Sequence, residues 1–105
     1  MEAVSYSIAS IIQSYDDKEG IRVMEEGDLL YLDITREFPS PGYKMTIDKI
    51  LNQDDELKVY FMVDPPSPDR VLPQVITYKT LTIKIPKKEF KKTPSKVKVL
   101  ELRMA

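Results

Sequence analysis

The 105-residue chain contains no cysteine and no histidine. Without cysteine it cannot form disulfides or use thiolate chemistry. Without histidine it lacks the commonest general base and metal ligand, and the two absences together exclude nearly all structural zinc sites. No apolar run approaches the ~18 residues that a membrane span needs. The first residues lack the basic and apolar regions of a signal peptide, which favours a cytoplasmic location.

The composition that remains is that of one globular domain. Hydrophobic residues make up 42% of the chain and charged residues 31%, which fits a folded protein and predicts a single domain over residues 1–105. Charge is unevenly spread, because residues 79–103 carry nine Lys or Arg and two Glu, whereas the rest carries seven Lys or Arg and fifteen Asp or Glu. This asymmetry makes nucleic-acid binding through 79–103 an alternative function. Since Phe90 is the one aromatic residue in the run 87–98, a mixed-charge solvated surface is the favoured interpretation.

Alternation of apolar and polar residues predicts β-strands through most of the chain. The predicted strands are 21–25, 29–37, 43–48, 57–63, 71–85 and 97–102. Gly27 and the polar segment 52–55 supply the turns of two hairpins. The stretch 71–85 is long for one strand, so we expect a bulge or bend near Tyr78 and Lys79. The last strand, with its lysines, is expected at a sheet edge.

The first segment fits two structures. Five apolar residues fall at helical spacing: Val4, Ile8, Ile11, Ile12 and Tyr15. Three residues also alternate as a strand would: Val4, Tyr6 and Ile8. Five matches against three favour a short amphipathic helix within residues 6–17, followed by Gly20 as a left-handed C-cap. The predicted fold class is therefore mainly β, an antiparallel sheet or sandwich-like meander with one short N-terminal helix, and α+β is the alternative.

No catalytic or metal-binding motif is present. The acidic clusters at 16–17 and 54–56 lack the ligand spacing of an EF-hand and are predicted to be turn residues. A Ser95–Lys96 nucleophile pair has no supporting motif. We therefore expect no catalytic residue, no metal and no cofactor. An uncharacterised hydrolase is the last-ranked hypothesis.

Two proline-rich loops, at 38–42 and 64–69, are the best candidates for an interface. Proline fixes φ, so ordering such loops on binding costs little entropy. A role as simple strand connections is the alternative. The candidate partner-binding residues are Phe38, Pro39, Pro41, Gly42, Tyr43, Pro65, Pro66, Pro68 and Tyr78.

Several segments recur in an order typical of one family. They are Pro41–Ile47, Leu57–Tyr60, Pro65–Pro66, Gln74–Tyr78 and Ile83–Lys87. This order resembles the C-terminal domain of the protease complex subunit PrcB, over roughly residues 20–87. Where that family favours Thr-Gly-Gly-Tyr, this chain has Ser-Pro-Gly-Tyr at 40–43. The resemblance implies a non-enzymatic β domain that binds or stabilises a protein partner, with a protease as the expected partner. Sheet physics adds a second expectation, a homo-oligomer formed through an edge strand.

Overall fold

A computed structural model describes residues 2–103 as two four-stranded β-sheets packed face to face. The strands are β1 (Glu2–Ala3), β2 (Ser7–Ser14), β3 (Gly20–Glu26), β4 (Leu29–Phe38), β5 (Lys44–Gln53), β6 (Glu56–Asp64), β7 (Thr77–Pro86) and β8 (Lys96–Arg103). Sheet I has the order β1-β5-β6-β8, and sheet II has the order β2-β7-β4-β3. Neighbouring strands are antiparallel except β6 and β8, which are parallel. The expected mainly β, largely antiparallel fold is confirmed.

The core lies between the two sheets and follows the alternation in the sequence. In β4 and β7, Leu30, Leu32 and Ile34 lie opposite three equally buried residues of the neighbouring strand. Those partners are Ile85, Ile83 and Leu81. Sheet I contributes the alternate residues of β6, namely Leu57, Val59, Phe61 and Val63, each 2% exposed or less. Because every second side chain faces the other sheet, the central strands β4, β6 and β7 are anchored in one core.

Both predicted hairpins form, each with a two-residue turn. Gly27 begins the turn between β3 and β4 with a φ of 58°, which costs glycine little. Asp54 and Asp55 form the turn between β5 and β6, with φ values of 51° and 65°. Two successive left-handed residues match the twist of paired strands, and aspartate tolerates this conformation better than most residues. Asp54 and Asp55 therefore lie in a turn, as predicted, whereas Glu56 begins β6.

The predicted N-terminal helix is wrong, because residues 7–14 form β2, which pairs with β7. A β-bulge at Ala9 explains the misleading spacing. Ile8 lies opposite Ile83 and Ile11 lies opposite Leu81, so both isoleucines share one face although they are three residues apart. An extra residue in a strand converts the period of two into a local spacing of three, which imitates a helix. Within residues 2–103, the helical structure consists of one short 3-10 helix at Lys87–Glu89.

The predicted strand over 71–85 is also too long. β7 begins at Thr77, and its pairing with β4 runs without a register shift past Tyr78 and Lys79. Pro73 explains the late start, because proline cannot donate to a ladder and is excluded from central strands. The register shifts lie instead in β2 and in β5, between Ile47 and Lys49.

The final strand lies at the edge of sheet I, as predicted, and an ion pair ties it to sheet II. The Arg36 guanidinium donates to Glu101 across 2.5 Å and lies 3.3 Å from the Glu19 carboxylate. It also lies over the Phe61 ring, 5.9 Å from the centroid. A planar guanidinium can bind a carboxylate and lie over an aromatic face at the same time, so Arg36 connects the two sheets along the flank where β3 and β8 lie.

Within residues 2–103, no helix is long and apolar enough to cross a membrane.

Candidate protein-binding rim

Two loops cross between the sheets at the same end of the molecule. Residues 39–43 lead from β4 in sheet II to β5 in sheet I, and residues 65–76 lead from β6 in sheet I back to β7 in sheet II. Phe38 pairs with Thr77 and Lys44 pairs with Asp64, so all four strand ends lie at one end of the sandwich. The loops therefore meet, and we call residues 39–43 and 65–76 together the proline rim.

Gly42 is the point of closest approach between the two loops. A Cβ atom built on Gly42 would lie 2.6 Å from Leu72 Cδ1 and 3.1 Å from Pro66 Cβ. Its φ of 133° is also a conformation that other residues rarely adopt. The position requires glycine for both reasons, and the absent side chain is what lets Pro66 and Leu72 pack against the first loop.

Phe38 and Tyr43 hold the first loop against the sandwich. Their rings stack with centroids 5.0 Å apart and an interplanar angle of 14°. Phe38 is only 2% exposed, so it offers almost no surface to a partner and instead supports the half-buried Tyr43. The Tyr43 carbonyl accepts a hydrogen bond from Lys79 Nζ. Burial lowers the pKa of Lys79, and the nearby charge of Lys44 lowers it further.

The second loop is fixed where it joins β7 and at a turn in its middle. Buried Thr77 donates its hydroxyl to the Val75 carbonyl across 2.9 Å. The Ser67 hydroxyl donates to Asp69, and this bond lowers the pKa of the Asp69 carboxyl. The Arg70 amide donates to the Ser67 carbonyl across 3.1 Å, which closes the turn. These bonds and the prolines leave the loop few alternative conformations.

Tyr78 lies beside this junction, on the outer face of sheet II. Its hydroxyl donates to Glu37 Oε1 across 2.9 Å, and Glu37 lies opposite it on β4. That hydrogen bond is the main reason the pKa of Tyr78 is raised, with desolvation and the nearby acidic charges adding to it. The tyrosine ring is half-buried, so an edge of it remains accessible beside the rim.

The rim also exposes aliphatic side chains of the segment 71–76, which was predicted to be part of a strand. Val71 is 99% exposed, Ile76 53% and Val75 44%. Pro73 was the sequence signal that residues 71–76 lie in a loop and not in a strand.

The prolines predicted to bind a partner differ in their exposure. Pro39, Pro65 and Pro68 are exposed, whereas Pro41 and Pro66 are half-buried. The predicted residues thus share one end of the molecule, and all of them except buried Phe38 are exposed or half-buried there.

The basic C-terminal segment meets an acidic turn at the other end of β6. Asp55 Oδ1 accepts a hydrogen bond from the Ser95 amide across 3.1 Å, and Asp55 Oδ2 accepts one from the Ser95 hydroxyl. The hydroxyl bond, the amide bond and the charges of Lys92 and Lys96 lower the pKa of Asp55, in that order of size. Within residues 2–103 no three acidic side chains are grouped so that they could hold a metal ion.

Comparison with known proteins gives one family. The family model described as PrcB C-terminal matches residues 31–86, just over half of the chain, from β4 through β7. The matched range contains the whole proline rim and Tyr78. No curated protein matches the chain, and no solved structure matches it.

Proposed function

Because the chain belongs to the PrcB C-terminal family, we propose that it is a non-catalytic module that binds and stabilises a protein partner, and that the partner is a protease. A protease is proposed as the partner because the resemblance to the protease complex subunit PrcB implies one. The proline rim is the binding surface in this proposal.

The packing of Gly42 against Pro66 and Leu72 is the single observation that carries the proposal. The two loops that connect the sheets already pack against each other in the unbound protein. A surface that is already ordered loses little conformational entropy on binding, so more of the contact energy appears as affinity. Simple strand connections do not need such a close approach between loops.

The exposed chemistry of the rim suits a protein surface better than a small molecule. Val71, Val75 and Ile76 are between 44% and 99% exposed, whereas small ligands are usually enclosed in concave pockets. Burying a Val or Ile side chain is worth about 1.5–3 kcal/mol before the costs of association are subtracted. Tyr43 lies in the rim and Tyr78 lies beside it, and tyrosine is enriched at the centre of protein interfaces.

Affinity purification from the source cells tests the proposal. The bait is the full chain, compared with a Val71→Ser/Ile76→Ser variant. The matched control is Val23→Ser/Met24→Ser, which makes the same kind of change at two exposed apolar residues of β3. We expect the wild type and the control to retain the same peptidase, and the rim variant to lose it by about tenfold or more.

Two outcomes would contradict the proposal. One is a partner that the rim variant retains and the β3 control loses, because binding would then use another face. The other is the absence of any reproducible protein partner for the wild-type chain. Circular dichroism of all three baits shows whether a loss of binding reflects a loss of the fold.

A further inference from the structure

The free edge of β2 lacks the features by which the other sheet edges avoid pairing. Within residues 2–103, sheet I ends in β1 and β8, and sheet II ends in β2 and β3. β1 is two residues long, and short edge strands pair poorly. β3 and β8 carry the charged side chains that discourage pairing: Arg22, Glu25, Glu26, Lys96, Lys98 and Glu101. β2 contains neither a charge nor a proline, and the sequence has no charged residue between Glu2 and Asp16.

The exposed side chains of β2 are apolar on both faces of the sheet. Ile11 lies opposite buried Leu81 and faces the side of the other sheet, yet it is 54% exposed because it lies at the flank. Ile12 lies opposite Thr80 on the outer face and is 59% exposed. The bulge at Ala9 disturbs the first part of the edge, but Ser10–Ser14 keeps a regular register with β7. This five-residue segment is an unprotected template for another strand.

We propose that Ser10–Ser14 pairs antiparallel with the same segment of a second copy of this chain, about a two-fold axis at Ile12. The two copies of sheet II would then form one continuous eight-stranded sheet. Ile12 is the midpoint of the regular segment, so this register uses all of it and leaves the bulge outside. The surface lies in a part of the chain that precedes the family match, which begins at Tyr31.

A second copy fits this edge because the pairing sets no like charges against each other. The two-fold axis places Ile12 beside Ile12, Ser10 beside Ser14 and Ile11 beside Gln13. Directly opposed apolar residues stabilise a strand pair, whereas directly opposed like charges destabilise it. The antiparallel arrangement also brings the acidic residues 16–17 of each copy toward the Ser7 end of the other β2. Lys84 lies next to Ser7 in the sheet, so opposite charges approach there.

The same arrangement explains why assembly would stop at two chains. An isologous two-fold contact uses both β2 edges, so no second β2 edge remains to recruit a third copy. The outer edges of the eight-stranded sheet would be the two β3 strands, whose Arg22, Glu25 and Glu26 oppose further pairing.

Sedimentation equilibrium of the full chain over a range of concentrations tests this inference. We expect the wild type to be a dimer. Ile12→Lys sets two lysines against each other at the axis and should weaken the dimer by about 100-fold or more while the far-ultraviolet circular dichroism is unchanged. The matched control is Met24→Lys, which changes an exposed apolar residue in the middle of the other edge of sheet II and should leave the dimer intact.

A second measurement does not depend on the lysine variants being folded. The chain has no cysteine, so a single Ile12→Cys substitution should form a disulfide between two chains under mild oxidation, whereas Met24→Cys should not. A wild-type chain that stays monomeric up to millimolar concentration would overturn the inference. So would a dimer that survives Ile12→Lys and is lost in Met24→Lys, or cross-linking through position 24 rather than 12.

Discussion

Gly42 is the residue on which the shape of the proline rim depends most. It combines a φ of 133° with a neighbour, Leu72 Cδ1, that already occupies the space of a side chain. A residue with a Cβ atom would have to change the backbone conformation and also displace the second loop. The residue therefore couples the two loops, although it makes no polar interaction in doing so.

We predict that Gly42→Ala lowers the free energy of unfolding by about 1–3 kcal/mol, because it combines backbone strain with the clash against Leu72. Urea unfolding measures the effect. The control is Gly20→Ala, since Gly20 has nothing within 4 Å of an added Cβ and no left-handed φ. It should change stability by less than about 0.5 kcal/mol. Equal effects at the two glycines would contradict this explanation of Gly42.

At the scale of elements, the carboxylate of Asp55 joins the turn between β5 and β6 to the loop before β8. Asp55 in the turn between β5 and β6 accepts from both the amide and the hydroxyl of Ser95, which directly precedes β8. These bonds place the start of β8 beside β6, where the two strands run parallel. Because the hydrogen bonds lower the pKa of Asp55, the carboxylate stabilises the fold when it is ionised. That contribution is complete above the unfolded value of 3.8 and is lost as the pH falls through the lower pKa of the folded state.

We predict that Ser95→Ala raises the pKa of Asp55 toward 3.8, because it removes the largest of the interactions that lower it. Carboxyl-detected NMR titration measures this change. The second such pair serves as a reciprocal control, since Ser67→Ala should raise the pKa of Asp69 and leave Asp55 unchanged. An Asp55 titration curve that is the same in the wild type and in Ser95→Ala would contradict the assigned cause.

Some strands and strand pairings could be predicted from the sequence, and others could not. Alternation predicted β4 and β6 well, because these central strands bury every second residue and neither contains an extra, bulged residue. It failed in β2, where one extra residue at Ala9 imitates a helical spacing. The parallel pairing of β6 and β8 was not predictable from local pattern, because it depends on the long path through β7.

The sequence located the two proline-containing loops between strands but did not identify their exposed side chains. Prolines marked both loops, because their effect on the backbone is local. That Phe38 is buried and Val71 fully exposed depends on tertiary packing, which no single segment encodes. The meeting of Gly42 with Pro66 likewise requires two loops that are far apart in sequence to cross between the sheets at one end.

At the scale of the whole molecule, the proline rim and the free edge of β2 are separate surfaces. The rim lies at the end of the sandwich, whereas β2 runs along its side. The Ser14 end of β2 lies opposite Tyr78, close to the rim. In an antiparallel β2 pair the two rims would therefore point in opposite directions, and a dimer could hold two protein partners at once.

Site-specific photo-crosslinking in the source cells tests the central claim, that the proline rim is where a protein partner binds. A benzophenone amino acid replaces Val71, the most exposed apolar residue of the rim, or Lys98, an exposed residue of β8 that serves as the control. The account predicts an adduct with one protein, a protease, from position 71 and little or none from position 98. Adducts that form from position 98 and not from position 71 would contradict it.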